Sequence, residues 1–154
     1  MAAWLHRTGL VGLLLAAYLW AWTPARTEWT RSVTTVMEQV APTALTVSSR
    51  PQAHSIRVEK DQSVRLQYVA PAGVKFLLPA LFLILIAPAR PRIGLFFAGH
   101  AALAAIAAAL GTAGLAGLPA GLGIASFVQT YGVDAYSLAV PVLVWAHLRS
   151  GGST

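Results

Sequence analysis

Few side chains in this sequence could do chemistry, and those few stand apart from one another. His100, Asp134 and Lys75 fall within or beside long apolar stretches. An ionisable group there is rare and marks a functional site by default. His100 has no polar neighbour in sequence. It reads either as a proton relay or ligand, or as a neutral imidazole hydrogen-bonded across a helix interface. Asp134 follows Gln129, Thr130 and Tyr131, and reads as an intramembrane carboxylate or as a residue solvated at the outer surface. Lys75 reads as a snorkelling anchor or as the partner of Asp134, whose depth it shares in a four-span arrangement. His147, beside Arg149, is a boundary anchor, and His54 has no partner in sequence. There is no HExxH, no phosphate-binding glycine loop and no carboxylate pair in a span. GLPAGLG at Gly117–Gly123 lacks the preceding strand and the lysine that a nucleotide loop needs. With no cysteine, disulfides, iron–sulfur clusters, thiolate zinc sites and a cysteine nucleophile are excluded. The expectation is a non-enzyme with no catalytic, cofactor-binding or metal-ligating residues.

The elements that position these residues follow from composition. Of 154 residues, 56% are hydrophobic and 10% charged, against about 25% charged in an ordinary soluble domain. A mean hydropathy of +0.64 agrees. The fold class is integral membrane α-helical, with four transmembrane helices and a small extracytoplasmic insert of one helix plus a β-hairpin. A span needs about 20 apolar residues. The first is Leu5–Trp22, within a unit of residues 1–23. It has Trp4, Trp20 and Trp22 at its ends, and no small-x-small site suggests its removal as a signal peptide. Gly73–Ala89 and Ile93–Leu115 form a tight hairpin over residues 73–115, and Pro79 should kink its first arm. Residues 116–128 read as an interfacial loop or short helix, because Gly117, Pro119, Gly121 and Gly123 break the pattern. The fourth span occupies residues 129–148, and residues 149–154 are a tail.

Arg7, Arg90, Arg92 and Arg149 would share one side of such a bundle, so the positive-inside rule puts both termini in the cytoplasm. Residues 24–72 are then the extracytoplasmic segment. Within it, Trp29, Val33, Val36, Met37 and Val40 fall on one helical face over residues 26–40. That helix either continues the first span or bends onto the membrane surface. Residues 55–69 alternate polar and apolar around Lys60-Asp61-Gln62, a hairpin signal, and Leu45-Thr46-Val47 offers a third strand. The apolar face Ile56, Val58, Val64, Leu66 and Tyr68 must cover something. In the third span, small residues including Gly94, Gly99, Ala102, Ala105 and Ala109 predict a helix-packing surface, against its own neighbours or a partner.

The stretch Leu66-Gln67-Tyr68-Val69-Ala70-Pro71 leading into FLLPALFLILIAPARPR, and the C-terminal FVQTYGVDAYSLAVPVLVW, resemble the small membrane proteins associated with the H-type exosortase. The resemblance implies a non-enzymatic partner of a membrane-embedded exosortase in protein sorting at a bacterial inner membrane. It transfers no catalytic residue. Membrane lipids and another integral membrane protein are the expected partners, with no nucleic acid. The alternative is a small subunit of a respiratory or transport complex, with His100 or Asp134 on a proton or quinone path.

Overall fold

The computed structural model describes residues 2–70, 76–86 and 90–150. The first helical rod runs without interruption through α1 (Ala2–Ala17), a π turn (Tyr18–Trp22) and α2 (Thr23–Val40). Of the two courses open to residues 26–40, continuation is the one taken. Pro24 does not end the rod. The Thr23 amide bonds back five residues to Tyr18, and Pro24 then sits in the first turn of the next α-helix, where a missing amide costs little. The buried face of α2 is rotated from the apolar stripe. It consists of Arg26, Thr30, Thr34 and Met37, while Trp29, Val36 and Val40 stay exposed. Threonine serves here because each hydroxyl donates to the carbonyl four residues back, leaving a methyl group to pack.

Three antiparallel strands follow in the order β1 (Thr46–Arg50), β2 (Ser55–Lys60) and β3 (Ser63–Val69). The expected hairpin is present, with the third strand beside it. Ile56, Val58, Leu66 and Tyr68 are buried, but Val64 is 48% exposed. The pairing explains this. Val58 pairs with Leu66 and Glu59 with Val64, so Arg65 is the extra residue of a β-bulge. The bulge moves Val64 to the face of Glu59.

The remaining helices are α3 (Leu77–Ile86), α4 (Arg90–Leu115), α5 (Gly121–Phe127) and α6 (Val133–Ser150), the last two joined by a π turn at Val128–Gly132. Over residues 116–128, expected to be a loop or short helix, a turn runs to Ala120 and the seven-residue helix α5 starts at Gly121, leading through the π turn into α6. Gly117 and Ala120 adopt positive φ and make the break, whereas Gly121 and Gly123 are helical. Among the described residues, three helices are long and apolar enough to cross a membrane: Trp4–Val40, Ile93–Leu115 and Gly121–Arg149. In the described part of the second expected span, residues 76–86, the α-helix Leu77–Ile86 is ten residues, about 15 Å at 1.5 Å per residue.

Contacts set the direction of each helix. Leu10 and Leu14 stand near Ile93 and Gly94, and Val33 and Val36 near Ala108 and Thr112, so α1–α2 runs parallel to α4. Gly114 touches Gly121 and Leu122 at the turn, so α5–α6 runs back. Arg7, the start of α4 and Arg149 therefore lie at one end of the bundle. The sheet lies toward the other, on α2, α4 and α5, around a core of Met37, Val58, Leu66, Tyr68, Leu115 and Ala125. A second core nearer the basic end joins Phe76, Ala80, Leu83, Phe96 and Val133.

Candidate functional site

His100 is 1% exposed, in the second core. Phe76 lies against it with ring centroids 3.8 Å apart, and Phe96 and Tyr136 meet it edge-on at 4.6 and 4.9 Å. Neither ring nitrogen has a hydrogen-bond partner among the described residues. Gly99 makes room for Tyr136, since a Cβ there would overlap its phenol, and the Tyr136 hydroxyl donates to the Leu95 carbonyl at 3.3 Å. The imidazole is thus walled by aromatic rings, and no carboxylate or hydroxyl relay reaches it among the described residues. A hydrogen bond across a helix interface, the other of its two readings, does not form among the described residues either.

The other expected polar residues are not gathered here. Asp134 is exposed, on the side of the last helix that carries Tyr131, Leu138 and Val142, and it forms no ion pair among the described residues. Lys75 lies outside the described residues, and with it the expected Lys75–Asp134 contact. His147 is exposed near Arg149, whose guanidinium sits 4.6 Å over the Trp145 ring. The small residues of α4 divide into two faces. Ala104, Ala107, Ala108 and Gly111 pack inward. Ala102, Ala105 and Ala109 are exposed, and nothing lies within 4 Å of where a Cβ on Gly94 would be. Beside Ala105 and Ala109, the α2 residues Trp29, Val33 and Val36 complete an apolar cleft of about 270 Å³.

A second polar cluster, which sequence reasoning missed, lies where β3 leaves the sheet. Arg26 is 6% exposed. Its Nη2 donates to the Ala70 carbonyl at 3.3 Å, while its Nε is buried without a partner among the described residues. Gln129 takes the neighbouring carbonyl, with Nε2 3.2 Å from the Val69 oxygen. The two side chains clamp consecutive carbonyls of one strand end. Gln129 lies within the π turn Val128–Gly132, and Arg26 stands one helical turn past the π turn Tyr18–Trp22; π turns are frequent at functional sites. His54 is buried beside them in a left-handed backbone conformation, with Nε2 3.2 Å from both the Thr23 carbonyl and the Thr27 hydroxyl. Trp29 Nε1 donates to the Tyr68 hydroxyl.

The cluster carries one charge. A guanidinium is not deprotonated in a protein. Burial, and then the charge of Arg26, hold the His54 imidazole below its ordinary value. Burial pushes the Tyr68 phenol up to about 12. No carboxylate answers Arg26 among the described residues: Glu28 pairs with Arg31 and Glu59 with Arg57, both at exposed sites. A buried ion without a counter-ion costs on the order of several kcal/mol. The sequence signal was available, because Arg26 lies eleven residues before Met37 and so on the same helical face. Searches of protein families, curated proteins and solved structures find no match to this chain.

Proposed function

We propose that the chain is a non-enzymatic accessory membrane protein that docks to another integral membrane protein. The observation that carries this reading is the apolar cleft between α2 and α4. Small residues let helix backbones approach closely, and this cleft sits at the outer end of the bundle, where its α2 wall belongs to residues 24–72. Ala102, Ala105 and Ala109 are not used for the chain's own packing, so a helix of another protein fits against them. The resemblance of the C-terminal half suggests an exosortase as that protein, at a bacterial inner membrane.

The reading has four spans, both termini cytoplasmic and residues 24–72 outside. It is supported by the common end shared by Arg7, the start of α4 and Arg149. It is also supported by distance, since Arg26 stands nineteen residues along its rod from Arg7, about 28 Å, close to the hydrocarbon thickness of about 30 Å. The alternative, a subunit of a respiratory or transport complex, would use His100 or Asp134 for protons. The aromatic wall around His100 weighs against that use.

The test is mild-detergent solubilisation from native membranes, affinity purification of the tagged full chain, and mass spectrometry of what accompanies it. An exosortase that is present with the native chain and lost with Ala105→Leu supports the reading. A respiratory or transport complex in its place supports the alternative. An unaccompanied chain overturns both.

A further inference from the structure

A groove of about 380 Å³ opens between the first helical rod and the α3–α4 hairpin, lined by Leu10, Leu14, Tyr18, Trp22, Gly94 and Phe97 among others. Its volume is in the range of ligand sites, about 300–1,000 Å³, and its walls are apolar. In its upper part, one turn before Trp22, stands Tyr18, which is buried and whose hydroxyl also lies beside the Arg26 guanidinium. The groove and the unanswered cation are therefore neighbours joined by one side chain. From Leu10 to Trp22 the groove follows the rod for twelve residues, about 18 Å. Arg26 stands a turn beyond, at the level where the apolar stretch of the rod gives way to polar residues.

An apolar slot with a buried guanidinium at its head matches one class of molecule. We propose that this site holds a phospholipid, with one acyl chain in the groove and its phosphodiester accepting hydrogen bonds from the Tyr18 hydroxyl and from Nε of Arg26. The phosphate supplies the acceptor for Nε and the negative charge that no described residue provides, and guanidinium–phosphate contacts are among the stronger hydrogen bonds. Trp22, in the groove wall, suits the boundary between tail and headgroup. Gln129 and Arg26 hold the end of β3, so a bound lipid fastens the sheet to the first rod. The inference rests on the membrane reading but on no particular protein partner.

The full chain, delipidated in mild detergent, is titrated with dioleoyl-phosphatidylglycerol and followed by native mass spectrometry. One lipid should bind per chain. Dioleoylglycerol, which has the same tails and no phosphate, should bind at least tenfold more weakly. Inorganic phosphate in large excess should not displace the lipid. Arg26→Gln should lower affinity about tenfold, a difference of about 1.4 kcal/mol. Because Arg26 also holds the Ala70 carbonyl, Gly94→Leu is the second variant. Its side chain meets open space in the groove, so it should lower affinity to a similar degree with helix content unchanged. Equal binding of dioleoylglycerol would overturn the role of Arg26. Undiminished binding to Gly94→Leu would overturn the groove, and displacement by phosphate alone would make the ligand a free anion rather than a lipid.

Discussion

Adding one methyl group at Gly121 should destabilise the bundle, and adding the same group at Gly123 should not. A Cβ on Gly121 would lie 2.7 Å from the Gly114 Cα, 2.8 Å from its nitrogen and 2.9 Å from the Leu110 carbonyl oxygen. Ordinary carbon contacts lie at about 3.5–4.0 Å, so α4 and α5 must separate by about an ångström. All three obstacles are backbone atoms, which cannot rotate aside. Overpacking of this kind costs about 1–3 kcal/mol. At Gly123 nothing lies within 4 Å, and alanine gains about 0.5–1 kcal/mol over glycine in a helix. The two variants should therefore differ by about 1.5–4 kcal/mol. Reversible unfolding in mixed micelles, read by circular dichroism, measures the difference. If Gly121→Ala proved as stable as Gly123→Ala, the close approach of α4 and α5 would be wrong.

Three further outcomes follow from the same contacts. Val64→Thr should change stability by less than about 0.5 kcal/mol, whereas Leu66→Ala, under the sheet, should cost about 2–5 kcal/mol; equal effects would remove the bulge at Arg65. The folded-state pKa of His54 is depressed by burial and by Arg26, so stability should be flat above the unfolded value of about 6.5 and fall as pH drops below it, because the unfolded chain takes the proton first. His54→Asn, which keeps a residue tolerant of the left-handed conformation, should flatten that pH profile in thermal unfolding, and an unchanged profile would assign the dependence elsewhere. A cysteine at Gln52 should be labelled from outside intact cells and one at Ser150 should not; the reverse pattern would invert the topology.

The long apolar helices and the hairpin were legible because hydrophobic length and period-two alternation are local signals. The start of the last helix was not. Gly121 and Gly123 read as breakers, yet Gly121 is there for its close approach to Gly114, a reason visible only once α4 and α5 are paired. The bulge at Arg65 cannot be read from alternation, which assigns Val64 to the buried face. His100 was found as a buried residue but not as one enclosed by three aromatic rings drawn from three helical segments. Arg26 went unnoticed, because sequence shows a charge but not the strand end that covers it.

The central claim is that the outward face of α4 meets another membrane protein. Site-specific photocrosslinking from Ala105 in native membranes tests it most directly, with Leu13 on the exposed side of α1 as the lipid-facing control. A discrete protein adduct from Ala105 and none from Leu13 is the predicted result. Lipid adducts alone from both positions would contradict the claim.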